Sequence, residues 1–229
     1  MANFHTHVSV GFVVSGVLAL LSFKAGTISD NEFATATLIG TVGSLLPDID
    51  SDKSTPAKMG FNLLSIMVVF AVLSHWREQL SFIAMLITWA VGYVLVRYGL
   101  FWVFGRVTVH RGMIHSVPFM ALLGLALVCL NFYGFANSAF ISWFYGSMLF
   151  LGSLVHLILD ELYSVNLLGL KIKRSSGTAM KFYQSKYPWR YAILYALVAT
   201  LWFIAPSFGQ FWATLSDPIS WLLIKKAMI

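Results

Sequence analysis

Apolar residues in this chain come in long runs separated by short polar or turn-forming stretches. This is the pattern of helices that cross a bilayer, for which about 20 residues suffice, with a range of about 17 to 25. Eight runs stand out. Segment A is Val8 to Phe23, ended by Lys24 and Gly26, and segment B is Phe33 to Leu46, stopped by Pro47, which has no N–H to donate and biases Leu46 away from helix. Segment C is Phe61 to Ser74, and segment D is Leu80 to roughly Phe104. Segment E runs from Val117 to Phe132, with Ser116 as predicted N-cap and Pro118 in the first turn. Segment F is Ala139 to Tyr163, and segments G (Tyr191 to Ala205) and H (Phe211 to Ile224) are predicted to form a hairpin around Pro206 and Gly209. The fold expected is all-α: a polytopic integral membrane protein of about eight helices, six to eight of them spans, with B, C, G and H the short ones.

Composition agrees with that pattern. The chain of 229 residues is 59% apolar and 10% charged, with a mean hydropathy of +0.79, against a soluble norm of about 25% charged. Its length and the absence of a linker or repeat predict one membrane-embedded domain over residues 1–229. The net charge of +6 sits in loops beside the apolar runs, which points to membrane lipids as partners and away from nucleic acid. Cys129 is the single cysteine, so no intrachain disulfide forms. No basic stretch precedes the first apolar run, and that run is expected to stay as a helix rather than be cleaved as a signal peptide.

Charge also orients the chain. The loops with Lys53 and Lys58, Arg106 and Arg111, and Lys171 through Arg190 fall on one side with Lys225 and Lys226, and the opposite side has Lys24 and Arg77. The positive-inside rule puts the first group and both termini in the cytoplasm. The start of A, the end of B, the start of E and the end of F then share the cytoplasmic face.

Those four places carry the chain's costly polar residues. VHRGMIHSVP (Val109 to Pro118) holds His110, Arg111, His115 and Ser116; FHTHVSVG holds His5 and His7; PDIDSD holds Asp48, Asp50 and Asp52; HLILDE holds His156, Asp160 and Glu161. Ionisable groups in membrane segments are functional by default. His156 and Asp160, four apart, project from one helix face, suiting two ligands of one ion or a local His–Asp hydrogen bond. Glu161 lies about 100° around from Asp160 and is expected outside the ligand set. An extended chain after Pro47 would point Asp48, Asp50 and Asp52 one way, where like charges repel unless a cation is present. Asp52 is the one expected to be merely solvated. The aspartates do not form an EF-hand, because Lys53 and Met59 stand where its glycine and glutamate belong. His110 and His115 meet only if the chain is irregular between them, which Gly112 allows. Arg111 suits a phosphate or carboxylate, or a positive-inside anchor. His75 falls on the opposite side and is excluded. No G-x-S-x-G elbow or phosphate-cradling glycine loop is present.

Taken in order, H-x-x-x-G (His7 to Gly11), L-L-P-D-I-D (Leu45 to Asp50), H-R-G-x-x-H-S (His110 to Ser116) and H-x-x-x-D (His156 to Asp160) resemble the bacterial inner-membrane, metal-dependent hydrolases of the YdjM-like type, also described as LexA-regulated. The resemblance covers about Asn3 to Tyr163. That family is grouped with the zinc-dependent phospholipase C and P1 nuclease superfamily, all-helical enzymes that hydrolyse phosphoesters at zinc clusters. The resemblance implies metal ligation by His7, Asp48, Asp50, His110, His115, His156 and Asp160. The chain departs from it after Asp160, where ELYSVNLLG stands in place of the glycine and proline many members have.

The function expected is hydrolysis of phosphoesters of lipids or lipid-linked substrates at the cytoplasmic face of the bacterial inner membrane, by metal-activated water. Two or three divalent ions are implied, Zn first, with Mn or Fe as alternatives. Asp50 would bridge metals or act as base, and Arg111 with the Lys171 to Arg174 cluster would hold the phosphate. The rival from another class is a non-enzymatic divalent-cation carrier or sensor, which mid-span ionisable residues would favour.

Overall fold

The computed structural model describes residues 3–50, 61–62, 65–66, 68–70, 72–73, 76, 78–100, 102, 113–166, 171–172 and 180–228. The all-α expectation holds. Eight continuous helices are described: α1 (Phe4–Lys24), α2 (Asp30–Gly43), α3 (Phe82–Val94), α4 (Val117–Cys129), α5 (Ala139–Ser164), α6 (Pro188–Ile204), α7 (Gly209–Ser216) and α8 (Pro218–Met228). The described positions between 61 and 76 are helical too, and α3 and α4 run on as π-helix over Leu95–Leu100 and Leu130–Gly134. A short antiparallel ladder pairs Val165–Asn166 with Lys171–Ile172 after α5.

Among the described residues four helices are long and apolar enough to cross a membrane: Phe4–Lys24, Phe82–Gly99, Val117–Gly134 and Ala139–Tyr163. A fifth span results if α6 and α7, bent by 86°, count as one. Among the described residues α2 has only 14 residues and segment H is not one helix, so neither counts as a span by itself. Asp217 ends α7 and caps α8 through Ile219 N (3.1 Å) and Ser220 N (3.3 Å), and Pro218 restarts the chain. Segment C lies partly outside the described residues.

α5 is the axis of the molecule, with α1, α2, α4 and α7 packed around it. Two buried clusters flank it. One gathers Trp143, Phe144, Met148 and Leu149 of α5 with Ala19, Ala36, Val128 and Phe211; the other gathers Leu157 with Met113, Ile114, Met120, Tyr191 and Leu194. Where a hairpin is expected around Pro206 and Gly209, α6 and α7 meet instead in a bend of 86°. Its backbone carbonyls are satisfied by side chains from other elements: Tyr133 Oη donates to Ile204 O (2.7 Å) and Trp143 Nε1 to Pro206 O (2.9 Å). That is the condition under which a break persists in lipid.

α1 and α2 form a tight hairpin. Gly26, at φ +71, closes α1 with Thr27 N bonded to Ser22 O (3.1 Å) and Gly26 N to Phe23 O (2.9 Å), the left-handed cap that glycine supplies. The Glu32 carboxylate then accepts from Ser29 N at 2.6 Å to open α2. The chain therefore reverses at once, and the start of α1 lies level with the end of α2.

Candidate metal centre

Helix α1 begins earlier than the apolar run that predicts it. Asn3 caps it, its side-chain oxygen accepting from Thr6 N (2.8 Å) and Thr6 Oγ1 (2.7 Å). His7 thereby belongs to the helix instead of preceding it. It starts a buried stripe of His7, Gly11, Ser15 and Ala19, each four residues after the last, the spacing that keeps side chains on one face. Everything below His7 on that stripe is small, which lets backbones approach closely.

The close approach is quite literal. A Cβ at Gly11 would collide with the Ser44 side chain, one at Gly40 with Ser15, one at Gly43 with the backbone of Leu149, and one at Gly152 with the Gly40 carbonyl. Ser44 Oγ donates to His7 O (3.0 Å) and to Thr41 O (2.7 Å), and Ser153 Oγ donates to Gly43 O (3.0 Å). These contacts lock α1, α2 and α5 at one end. There the ring of His7 stacks on that of His156, with centroids 3.7 Å apart and planes 13° from parallel.

His156 is the best-defined member of the cluster. Its Nδ1 lies 2.7 Å from the carbonyl of Ser44, and since a carbonyl only accepts, Nδ1 carries the proton. Nε2 is left to face two carboxylates, Asp48 Oδ1 and Asp160 Oδ2, each at 3.6 Å. His7 Nε2 lies 3.3 Å from Asp160 Oδ1, and His115 Nε2 lies 3.8 Å from Asp160 Oδ2. His7 and His156 are fully buried, Asp160 nearly so, and Asp48 about one-third exposed. Neither ring nitrogen of His7 has a hydrogen-bond partner.

The donor atoms of His7, His156 and Asp160 lie within 4.8 Å of one another, as do those of Asp48, His115 and His156. The two groups share His156. Burying carboxylates beside imidazoles without a compensating charge costs several kcal/mol per ion. A histidine whose Nδ1–H is held by a backbone carbonyl, with Nε2 aimed at oxygen donors, is the usual preparation of a metal ligand. Nitrogen and oxygen donors in this mixture suit Zn, Mn or Fe, so the residues present fit a divalent cation.

Of the seven predicted ligands, five come together here: His7, Asp48, His115, His156 and Asp160. His110, with Arg111 and Asp52, lies outside the described residues, as do Lys173 and Arg174. Asp50 is described in its backbone only. The extended arrangement expected after Pro47 is replaced by a short 3-10 helix, Leu46–Asp50, with Asp48 N bonded to Leu45 O at 3.2 Å. Ser116 does precede α4 as expected, but its hydroxyl donates back to Met113 O and makes no cap bond. Glu161 is half-buried and belongs to neither group.

Residues that motif reading missed are Ser44, whose carbonyl orients His156, and the small residues that bring the helices together. Gly11 closes the motif H-x-x-x-G and carried a signal. The Ser44 contact had none, since any residue offers a carbonyl.

The sequence profile of the family described as YdjM inner membrane protein matches residues 1–224, and the chain belongs to that family. No curated protein and no solved structure matches it.

Proposed function

We propose that this member of the YdjM inner membrane protein family is a metal-dependent hydrolase, acting on phosphoesters of lipids or lipid-linked substrates at the cytoplasmic interface. The observation that carries the reading is His156, with its proton held by Ser44 O and its free nitrogen 3.6 Å from each of two carboxylates. Two carboxylates around one lone pair repel it and each other, and a cation between them adds attractions to all three that outweigh those repulsions. Kinship with the zinc-dependent phospholipase C and P1 nuclease superfamily, implied by the resemblance of the four motifs, supports the same chemistry.

Bound there, the cation would supply a water acidified from a pKa of about 15.7 towards about 7, and a Lewis acid for a phosphoryl oxygen. The chain's own residues do the rest. Ser44 fixes the tautomer of His156, Gly11 and Gly43 let α1 and α5 approach α2, and Asp48, the most exposed member, is the one an incoming substrate would meet first. Location at one end of the bundle favours an enzyme over a carrier, whose ionisable groups would lie at mid-span.

Metal content after chelator-free purification, with thermal midpoints in detergent, tests the reading. Wild-type protein is expected to hold stoichiometric divalent metal. Asp160→Ala removes it and costs about 3 to 5 kcal/mol, and His7→Ala added to Asp160→Ala costs little more, because both act through one lost ion. Metal-free wild type with additive losses would leave a structural membrane protein. Metal-loaded protein that releases no phosphate or headgroup from lipid vesicles would leave the carrier or sensor.

A further inference from the structure

The segment from residue 180 to Tyr191 is bound to the candidate metal centre, yet it contains polar atoms the centre does not use. Val117 N donates to Lys181 O at 3.0 Å, and Ser116 pairs with Lys181 in an isolated parallel bridge, so this segment lies directly against the residue after His115. Tyr191, 1% exposed, packs in the cluster that holds Ile114 and Leu157, the chain neighbours of His115 and His156. Its hydroxyl makes no hydrogen bond of good geometry, although the Ser116 side chain is close to it. Neither do Nε and Nη1 of Arg190, although both atoms are shielded from water. The Arg190 guanidinium lies over the rings of both Tyr187 and Trp189, 5.0 and 5.1 Å from their centroids.

A guanidinium that lies over aromatic rings can donate only in its own plane, and that edge matches two oxygens of a phosphate. Charged donors left dry and unbonded cost more than neutral ones, so these donors suit an acceptor of negative charge. The surroundings say what brings it. Phe182, Tyr183 and Trp189 are exposed beside Lys181 and Lys186, the aromatic and basic mixture that settles at the headgroup level of a bilayer. The first turn of α6, where Arg190 and Tyr191 sit, adds the positive end of a helix.

We infer that Arg190 and Tyr191 form a phosphate-binding site beside the metal centre, and that the phosphate it takes is that of a membrane-lipid headgroup. As the recognition subsite of a hydrolase it rests on the proposed function, whereas binding itself does not. Arg190 grips two phosphate oxygens, and the Tyr191 hydroxyl donates to a third or to the ester oxygen.

The test uses the full chain in detergent. Thermal midpoints are followed against short-chain phosphatidylglycerol and, separately, against sodium phosphate at constant ionic strength, for wild type, Arg190→Gln, Arg190→Lys, Tyr191→Phe and Lys24→Gln. Phosphatidylglycerol is expected to stabilise the wild type. Arg190→Gln should weaken its apparent affinity roughly tenfold or more. Arg190→Lys should recover only part, because it keeps the charge but not the fork, and Tyr191→Phe should lose less. Lys24→Gln, an exposed charge at the far end of α1, should bind as wild type. Binding by Arg190→Gln within about twofold of wild type, or an equal loss in Lys24→Gln, would overturn the site. Stabilisation by inorganic phosphate but not by the lipid would overturn the headgroup. Metal content read on the same samples separates the two ideas: metal-free wild type that still shows Arg190-dependent lipid binding would end the hydrolase reading and leave the phosphate site, and metal-loaded protein without that dependence would do the reverse.

Discussion

Helices α3 and α5 both qualify as membrane spans, and hydropathy barely separates them, yet they live in different solvents. Of the most apolar stretch of α5, 61% is buried inside the protein, and of α3, continued through Gly99, none. The difference is one of size and not of polarity. α5 interleaves Gly146, Gly152, Ser142 and Ser153 with its large residues, and at Gly146 and Gly152 a neighbouring backbone comes close enough to collide with an added Cβ. α3 shows Phe82, Ile83, Leu86, Ile87 and Trp89 outwards. Lipid is as apolar as leucine, so burial in a membrane protein follows close approach and hydrogen bonding more than hydrophobicity. His156 and Asp160 of the candidate metal centre are on the helix that is packed, where their positions are held.

The strongest way to break this comparison is to enlarge one glycine on each helix. Gly152→Leu drives a side chain into the Gly40 carbonyl, which belongs to backbone and cannot swing away. Overpacking costs about 1 to 3 kcal/mol and occasionally more, and a collision with backbone belongs at the upper end, about 3 kcal/mol or above. Gly99→Leu meets nothing within 4 Å among the described residues and should change stability by about 0.5 kcal/mol or less. Thermal midpoints in detergent, with recovery of monodisperse protein, read both. Equal losses would mean that α3 is packed after all.

A smaller effect sharpens the same point at the level of hydrogen bonds. Ser153 Oγ lies 3.0 Å from Gly43 O on α2 and 2.9 Å from Leu149 O on its own helix. Ser153→Ala removes the bond across the helices and should cost about 1 kcal/mol. Because Gly43 precedes the Ser44 carbonyl that orients His156, the variant should also hold metal less tightly than wild type. Unchanged metal affinity with the stability loss would confine Ser153 to packing.

Convergence of the four motifs was legible because apolar run lengths and positive charges order the ends of the helices, and the polar motifs sit at those ends. The five side chains that meet at those ends were all among the candidates. Three things were hidden, each for its own reason. The true start of α1 depends on the Asn3 cap, a single side chain that hydropathy ignores. The turn after Pro47 has no signal of its own, because proline suits an extended chain and the start of a helical turn alike. The break of segment H at Asp217 and Pro218 was in plain view, but one acid inside an apolar run scarcely moves a hydropathy average. The Ser44 carbonyl and the collisions at Gly40 and Gly43 exist only once two helices are docked.

The smallest effect is expected where a soluble-protein intuition predicts a large one. Ile87 is 58% exposed on α3, facing what the apolar surface requires to be lipid. In a water-soluble core, Ile→Ala costs about 2 to 5 kcal/mol through lost transfer energy and the cavity left behind. On α3 neither term applies, because the displaced contacts are with acyl chains that flow into the space, and alanine is the better helix former by a fraction of a kcal/mol. Ile87→Ala should therefore lie within about 0.5 kcal/mol of wild type in lipid nanodiscs, of either sign. Met148, 2% exposed on α5, gives the matched measurement: Met148→Ala should cost about 2 kcal/mol or more, since the helices around it cannot flow. A loss at Ile87 approaching that at Met148 would show that α3 is covered by protein in the membrane, and the contrast between the two helices would belong to the isolated chain alone.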